Sequence, residues 1–378
     1  MTPTAILADL VAIPGLPGQP NGAIVDYVRA RLLAAGAAVH VLPGPEGDRA
    51  NVFATIGPAD RPGIVLSGHM DVVPVEGQAW TSDPFRLTQT QGRLVGRGAT
   101  DMKGFLACVL AMAPDFAAMD LARPVHVAFS YDEEIGCRGA PHLVAALPGL
   151  CAPPSGAIVG EPSDMAPVLA HKGKAALEIV IEGVAGHSSD PAAGENALYP
   201  AGELLVFLRD EAARLAAEGP FDPRFAPPHS TLQAGLIRGG AAVNIIPDRC
   251  VLEVEARAIP AQPPRAVLAP LLARLEAMAA DGRRLKLAWR ETAAYPPLAP
   301  AEDPTLAELL TRLTGRAAVG AVSYGTEAGL FQAAGVPSII CGPGSIARAH
   351  RPDEHILPAE LEDCRTMLRR LGEELSRG

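Results

Sequence analysis

Acidic and imidazole side chains occur where the predicted strands of the first part of the chain end. The residues that follow a predicted strand or open a predicted helix are His69, Asp71, Asp101, Glu133, Glu134 and Glu161. Ligands of open α/β sheets bind outside the carboxyl ends of the strands. We therefore expect these six side chains to converge on one crevice.

Several carboxylates in one crevice need compensation, because like charges raise each other's pKa and oppose folding. A pair of divalent metal ions supplies it, and a mixture of imidazole and carboxylate ligands suits zinc or a neighbouring transition metal. One carboxylate that bridges two ions would hold a water molecule and a substrate oxygen side by side. The pattern predicts a hydrolase site with two metal ions.

Each of these residues also has a simpler interpretation when it is taken alone. A single histidine after a strand is usually a surface or core residue, and the adjacent Glu133 and Glu134 could be solvated surface charge. Asp101 could be an ordinary helix N-cap, a position that aspartate favours. The metal interpretation depends on all of them falling at strand ends together.

Predicted strands and helices alternate over the first 170 residues. We predict strands at 51–56, 63–67, 125–130 and 156–159, and helices at 22–35 and 103–119. The strands are almost continuously apolar, which is typical of a sheet covered by helices on both faces. Alternation resumes near the end of the chain, with helices at 304–313, 327–334 and from 358, and strands at 317–323 and 338–341.

The region between about 175 and 292 follows a different pattern. Leu177, Ile179 and Ile181 alternate with polar residues, as in a sheet with one solvated face. The predicted elements are a strand at about 177–181, a helix at 195–217, strands at 231–238 and 250–258, a helix at 265–280 and a strand at 285–291. This β-α-β-β-α-β order indicates a ferredoxin-like unit. We predict an α/β domain, residues 1–174 and 293–378, interrupted by an α+β domain at 175–292.

The composition excludes several classes of partner. The chain has 378 residues and a formal charge of −10, and its basic residues are scattered, which argues against nucleic-acid binding. Its apolar runs are too short to span a membrane, and its first residues lack the pattern of a secretory signal. The six cysteines contain no C-x-x-C pair, as expected of reduced thiols. We expect a cytoplasmic protein that acts on a small molecule.

Ordered motifs between about residues 60 and 356 resemble a known enzyme family. They are 67–74 (SGHMDVVP), 96–104 (GRGATDMKG), 131–136 (YDEEIG), 160–162 (GEP), 186–188 (GHS) and 348–354 (RAHRPDE). The chain resembles the di-zinc metallopeptidases that include acetylornithine deacetylase, succinyl-diaminopimelate desuccinylase, aminoacylase and the glutamate carboxypeptidases. The resemblance implies a mixed-sheet α/β/α catalytic domain and a lid domain through which the protein forms a homodimer.

The same resemblance implies a role for each matching residue of the first domain. His69 and Glu161 would bind one zinc ion, Glu134 and His350 the second, and Asp101 would bridge both. Asp71 would be hydrogen-bonded to His69 and set its tautomer. Glu133 would be the general base, and the peptide bond after Asp101 would be cis. Cobalt is expected to substitute for zinc.

Residues of the inserted domain would complete the site in the same resemblance. His187 would stabilise the oxyanion from the partner subunit of a dimer, although it could merely cap a turn. Asn244 would lie near the scissile group, and Arg257 would grip the substrate α-carboxylate. An ion pair with Glu253 or Glu255 is the alternative for Arg257. We interpret three further residues near the motifs as structural: Cys137, His171 and His355.

The segment 323–331 (SYGTEAGLF), together with the histidine motif, most resembles the acetylornithine deacetylases. We therefore expect deacetylation of N-acetyl-L-ornithine, a step of arginine biosynthesis. Glu327 could meet the cationic side chain of this substrate, and stabilisation of a helix N-terminus explains it equally well. Deacylation of acetylcitrulline or other acylamino acids, desuccinylation and peptidase activity remain alternatives, as does a member that binds without catalysis.

Overall fold

The computed structural model describes residues 1–282 and 284–377. It divides into two compact units. The first consists of Met1–Ala170, Leu298–Ala321 and Thr326–Gly378, and the second of His171–Pro297 and Val322–Gly325. The sequence prediction put the junctions after residues 174 and 292, a few residues from the junctions of these units.

The helices alternate with strands in the first unit and flank a sheet in the second. In chain order they are α1 (Pro3–Val11), α2 (Gly22–Ala34), α3 (Lys103–Ala118), α4 (Ala140–Ala146), α5 (Leu198–Glu218), α6 (Pro264–Ala279), α7 (Thr305–Thr314), α8 (Ala328–Ala333) and α9 (Pro358–Leu375). Within the described residues, none is both long and apolar enough to cross a membrane.

The strands form three sheets. In chain order they are β1 (Ala38–Pro43), β2 (Ala50–Ile56), β3 (Ile64–His69), β4 (Thr88–Thr90), β5 (Arg93–Val95), β6 (Val125–Ser130), β7 (Gly156–Pro162), β8 (Gly173–Glu182), β9 (Thr231–Gly239), β10 (Arg249–Ala258), β11 (Lys286–Tyr295), β12 (Ser338–Gly342) and β13 (His355–Ile356).

The first unit is built on a mixed six-stranded sheet in the order β1-β2-β6-β3-β7-β12. Strands β6, β3, β7 and β12 run parallel, whereas β1 and β2 are antiparallel to their neighbours. Every residue of β3, β6, β7 and β12 is buried, as predicted from their apolar sequences. The parallel arrangement brings the carboxyl ends of these four strands to one edge of the sheet.

Helix α3 supplies much of the core of the first unit and leads directly from the predicted site. It packs against α1, α2 and α9, and its residues Phe105, Leu106 and Phe116 are fully buried. Burying each such side chain contributes about 1.5–3 kcal/mol to the stability of the fold. The helix is apolar on nearly all sides because it is enclosed by other elements.

The second unit has a four-stranded antiparallel sheet in the order β11-β8-β10-β9, with α5 and α6 packed on it. Buried and half-buried residues alternate along β8, so one face of the sheet meets the helices. Leu177, Ile179 and Ile181 lie on this buried face. The predicted β-α-β-β-α-β order is confirmed.

One predicted strand is absent from the structure. Residues 317–323 contribute only isolated bridges, from Val319 to Val168 and from Val322 to His171. Gly320 interrupts the apolar run, and the chain passes from the first unit to the second between Ala321 and Val322. These residues therefore form isolated bridges and no continuous strand. The short sheet β13-β5-β4 was not predicted.

Candidate metal centre

The structure brings together the acidic and imidazole residues that were predicted at the strand ends. His69 ends β3, Glu161 lies in β7, Glu133 and Glu134 follow β6, and Asp101 precedes α3. Gly68 explains how α3 comes this close to β3, because a Cβ added there would lie 2.7 Å from Cε of Met102. The close packing of helix on strand places Asp101 beside His69.

Asp101 lies at the centre of the cluster and faces both imidazoles. Its Oδ1 atom is 3.1 Å from Nε2 of His69, and its Oδ2 atom is 3.3 Å from Nε2 of His350. Glu161 Oε1 lies 3.6 Å from Nε2 of His69, and Glu134 Oε2 lies 3.1 Å from Nε2 of His350. The cluster thus has two halves that share one carboxylate. The Asp101–Met102 peptide bond is cis, as predicted.

Glu133 also approaches the half of the cluster that contains His69. The side chains of His69, Glu133 and Glu161 offer ligand atoms that all lie within 4.8 Å of one another, as do those of His69, Asp101 and Glu134. Distance alone therefore does not separate Glu133 from the predicted metal ligands.

The Glu133 carboxylate accepts a hydrogen bond from the thiol of Cys137. Cys137 Sγ lies 3.2 Å from Glu133 Oε1 and donates to it. Cys137 is interpreted as structural from the sequence, yet its buried side chain contacts the predicted general base. The two residues are four apart, but Cys137 lies just beyond the 131–136 motif, and only the geometry of the turn brings the thiol to the carboxylate.

Asp71 contacts His69 differently from the prediction. Its main-chain oxygen, at 2.9 Å, is the partner of His69 Nδ1, whereas its carboxylate Oδ1 is 3.8 Å from that nitrogen. The carboxylate instead accepts the backbone N–H groups of Glu133 and Glu134, each at 3.1 Å. Asp71 therefore fixes the His69 ring with its backbone and the two glutamates with its side chain.

The carboxyl and imidazole groups of the cluster have strongly shifted pKa values when no cation lies between them. Burial raises the pKa of Glu133 to about 8, and the charges of Glu134 and Asp71 act in the same direction, against that of His69. Burial and the Asp101 charge hold the pKa of Glu161 well above its ordinary value. Hydrogen bonds to Asp101 and Glu134 raise the pKa of His350 to about 10. Cations held between these carboxylates and imidazoles would stabilise the ionised carboxylates.

The residues present fit a pair of metal ions. Glu134 Oε1 is buried and has no hydrogen-bond partner among the described residues, although an isolated carboxylate oxygen is costly to bury. Its other oxygen and both oxygens of Asp101 already face imidazole nitrogens. Imidazole and carboxylate ligands of this kind suit zinc and its neighbours.

Two predicted residues of the second unit, His187 and Asn244, lie on exposed neighbouring segments of that unit. His187 forms a bridge with Ile245, and the Ser188 N–H donates to the Asn244 carbonyl oxygen at 3.2 Å. The His187 Nδ1 atom accepts the N–H of Ser189 at 3.1 Å and lies 2.6 Å from the Ser189 hydroxyl oxygen. These contacts leave Nε2 as the ring atom that could donate to an oxyanion.

Arg257 is engaged within its own unit. Its Nε and Nη2 atoms donate to the two oxygens of Glu255 at 2.8 and 3.1 Å, and Nη1 donates to the hydroxyl of Tyr295 at 2.9 Å. Lys174 also contacts Glu255, at 2.9 Å. The ion pair with Glu255 that the sequence left open is therefore present, and the predicted grip on a substrate carboxylate stays a prediction.

Glu327 is buried immediately before α8. Its two oxygens accept hydrogen bonds from the hydroxyls of Ser67, at 2.5 Å, and Ser130, at 2.7 Å. Burial raises the pKa of this carboxyl group. These bonds tie β3 to β6, and because a carboxylate oxygen can accept more than one hydrogen bond, the predicted contact with substrate stays a prediction.

The histidines set aside as structural have main-chain partners. His355 Nδ1 lies 3.0 Å from the Asp353 carbonyl oxygen, and His171 Nδ1 lies 2.9 Å from that of Lys172. Burial lowers the pKa of His171 to about 4. It is His350, before the Arg-Pro-Asp-Glu run, that meets the carboxylates of the cluster.

Comparisons with known proteins agree with this arrangement. Residues 65–374 match the model of peptidase family M20/M25/M40. An acetylornithine deacetylase of Myxococcus xanthus is 36% identical over 371 residues, which cover 97% of this chain and 95% of the relative. An acetylornithine deacetylase of Proteus mirabilis is 34% identical, with coverages of 96% and 94%.

Among solved structures, the M20 family metallo-carboxypeptidase Sso-CP2 of Sulfolobus solfataricus superposes with a TM-score of 0.80 at 17% identity, covering 99% of each chain. These relatives are amide hydrolases, and the structure holds a cluster of candidate metal ligands of the kind that a metal-dependent amidohydrolase requires. The chain belongs to peptidase family M20/M25/M40.

Proposed function

We propose that this protein is a two-zinc amidohydrolase that converts N-acetyl-L-ornithine to L-ornithine and acetate. The observation that carries the proposal is the position of Asp101, whose two oxygens each face a different imidazole within 3.3 Å. The curated relatives named acetylornithine deacetylase, at 34–36% identity over nearly the full chain, support the choice of substrate.

Each half of the cluster would hold one ion. His69 and Glu161 would bind the first, Glu134 and His350 the second, and Asp101 both. Bound zinc lowers the pKa of a water molecule and polarises a carbonyl oxygen. Cobalt would substitute, since it accepts the same ligand types.

Glu133 would move the proton. It would take a proton from the attacking water and pass it to the amide nitrogen as the carbon–nitrogen bond breaks. Its Oε1 atom accepts from Cys137, which leaves Oε2 to face the water. Burial makes the carboxylate a stronger base, in keeping with this role. Asp71 would keep Glu133 aimed by binding its backbone N–H.

His187 would stabilise the oxyanion from the partner subunit of a homodimer. The second unit exposes apolar side chains that suit a subunit interface, among them Tyr199 and Val206 on α5 and Ile237 on β9. Asn244 would lie near the scissile group and Arg257 would bind the α-carboxylate. Mixed dimers of a Glu133 variant and a His187 variant test the sharing of residues, since one intact site would restore activity.

A substrate panel tests the reaction. N-acetylornithine should be hydrolysed with the highest kcat/KM, ahead of N-acetylcitrulline, acetylated neutral amino acids, N-succinyl-diaminopimelate and dipeptides. A dipeptide preference would identify a peptidase instead, and no hydrolysis of any compound would favour a binding protein. A binding protein would be expected to lack Glu133 or one of the ligands, and all are present.

The metal requirement and the compartment are tested separately. Chelation should abolish activity, and zinc or cobalt should restore it. We place the protein in the cytoplasm, which agrees with cysteines that are all free in the structure. Fractionation of cells that make the protein would test this location.

A further inference from the structure

A buried ion pair between Arg97 and Glu354 lies next to the candidate metal ligand Asp101 in the first unit. Arg97 Nη1 donates to Glu354 Oε2 at 2.7 Å, and both side chains are almost completely inaccessible to solvent. The guanidinium also stacks on the ring of Trp80, with Cζ 5.0 Å from the ring centroid. Removing one member of such a pair is costly, but replacing both by apolar residues is often not, so stability alone does not explain its presence.

The acidic member of this pair holds the backbone of Asp101. Glu354 Oε1 accepts the N–H of Thr100 at 2.9 Å and the N–H of Asp101 at 3.0 Å. The oxygen that is not bonded to Arg97 is therefore fully used by the segment that carries the shared ligand. Any shift of Glu354 would be transmitted to Asp101.

The basic member reaches the loop that carries His350. Arg97 Nη2 donates to Gln78 Oε1, and Gln78 Nε2 donates to the carbonyl oxygen of His350 at 3.2 Å. The His350 backbone has a φ of +60°, which a non-glycine residue rarely adopts without support. His350 is also more exposed than the other ligand candidates, with half of its side chain accessible to solvent.

The other half of the cluster has different support. His69 and Glu161 lie within the buried strands β3 and β7, and His69 is fixed by the main-chain oxygen of Asp71. Glu134 is held through its N–H by the Asp71 side chain. The second metal position would be formed by Asp101, Glu134 and His350. Of these three residues, Asp101 and His350 are the two that are connected to the Arg97–Glu354 pair.

We propose that Arg97, Glu354 and Gln78 are positioning residues that set the separation of Asp101 and His350 and thereby the affinity of the Glu134–His350 metal position. The proposal rests on the two-metal function proposed above. Residues that orient metal ligands in this way typically change metal affinity by about 10- to 100-fold when they are replaced. Loss of the Gln78 link should affect the ion held by His350, whereas loss of Glu354 should also affect the other ion, because Asp101 is shared.

The test is a titration of metal-free protein with Zn²⁺ in competition with a chromophoric chelator. Gln78→Ala removes the link to His350 at a half-buried position and should fold normally. We expect the dissociation constant of one ion to rise about 10- to 100-fold and that of the other to change less than about twofold. Gln89→Ala, an exposed glutamine on β4, is the matched control. Glu354→Gln should weaken both ions, because Glu354 holds the backbone of the shared Asp101.

Two reference variants identify which ion is affected. His350→Ala removes a ligand of one position and His69→Ala a ligand of the other. The Gln78→Ala titration should move toward that of His350→Ala. Equal weakening of both ions in Gln78→Ala, or no weakening there, would overturn the proposal, and this variant decides even if Glu354→Gln does not fold. Wild-type protein that binds fewer than two ions would contradict the proposed function instead.

Discussion

The residues proposed for metal binding and those proposed for substrate binding are held in contrasting ways. In the first unit, His69, Asp101 and Glu161 are buried, and the His69 ring lies 3.1 Å from the Asp101 carboxylate and 3.6 Å from that of Glu161. In the second unit, His187 and Asn244 are exposed, and neighbouring backbone groups hold their segments together. The carboxylates of Asp101, Glu134 and Glu161 are fixed in buried positions, whereas two of the groups that would meet a substrate stay accessible.

This contrast has a physical cause. Carboxylates that share a buried site repel one another, so their positions must be over-determined by the surrounding structure. Asp71 and the Arg97–Glu354 pair provide this support. His187 is not a member of this cluster, so it needs no such support and can act from an exposed loop. Variants of the first unit should therefore affect metal binding or proton transfer, and variants of the second should affect turnover or substrate binding without loss of metal.

The largest effect is expected for Glu133→Gln. The amide cannot accept the proton of the attacking water, so kcat should fall by about 10³- to 10⁴-fold, at the upper end of general-base contributions. Metal content, measured by mass spectrometry, should stay unchanged because Glu133 is not a ligand in this scheme. Glu76→Gln, at an exposed position, is the control. Loss of a metal ion in Glu133→Gln would make Glu133 a ligand.

His187→Ala should have the next largest effect. Loss of one oxyanion donor typically lowers kcat by about 10²- to 10³-fold. The residue is exposed and remote in sequence from the cluster, so thermal stability and metal content should match the wild type. His40→Ala replaces another exposed histidine and should leave kcat unchanged. A wild-type kcat in His187→Ala would show that His187 only caps its turn.

Arg257→Ala should change KM more than kcat. A charge-assisted hydrogen bond contributes about 1.5–3 kcal/mol, so loss of a carboxylate contact should raise KM roughly 10- to 150-fold. Arg290→Ala breaks a comparable surface pair, with Glu178 at 2.8 Å, and controls for the loss of an arginine from this sheet. If both variants keep a wild-type KM, Arg257 serves only its ion pair with Glu255.

The smallest effect is expected for the pH dependence of stability, through His126, which is not one of the candidate site residues. Burial lowers the pKa of His126 to about 4, while an unfolded histidine titrates near 6.5. The unfolded state therefore binds more protons between pH 6.5 and 4, and the free energy of unfolding falls as the pH falls through this window. The loss from this group should be roughly 2 kcal/mol at pH 5.

Urea unfolding of metal-free protein at several pH values tests this expectation. His126→Asn removes the titration and should give a shallower dependence on pH than the wild type. Both proteins contain the acidic cluster, so its contribution to the pH dependence of the free energy of unfolding cancels when the two are compared. Identical slopes in the two proteins would show that His126 does not contribute. His40→Asn should behave like the wild type.

Much of the fold could be predicted from local pattern. Strand β6 was predicted with its observed ends because it is apolar between clear breaks, and the alternation in β8 indicated a sheet with one covered face. The segment 317–323 was predicted wrongly because an apolar run does not reveal whether a ladder partner exists. Boundaries between units depend on such long-range contacts.

The sequence indicated which residues converge on the candidate site, but it did not indicate which residues hold them in place. The residue types at strand ends indicated which side chains converge, since parallel strands end at the same edge. The pairing of Arg97 with Glu354 joins residues 257 positions apart, and no local pattern reports it. That Asp71 uses its carbonyl oxygen for His69 and its carboxylate for the two glutamates depends on side-chain geometry.

The most direct test counts the metal ions. Metal-free wild-type protein, titrated with Zn²⁺ and analysed by mass spectrometry after removal of excess metal, should retain two ions per chain. Asp101→Ala should retain neither tightly, because Asp101 faces both halves of the cluster. A wild-type protein that retains one ion or none, or an Asp101→Ala variant that still holds two, would contradict a shared carboxylate between two metal ions.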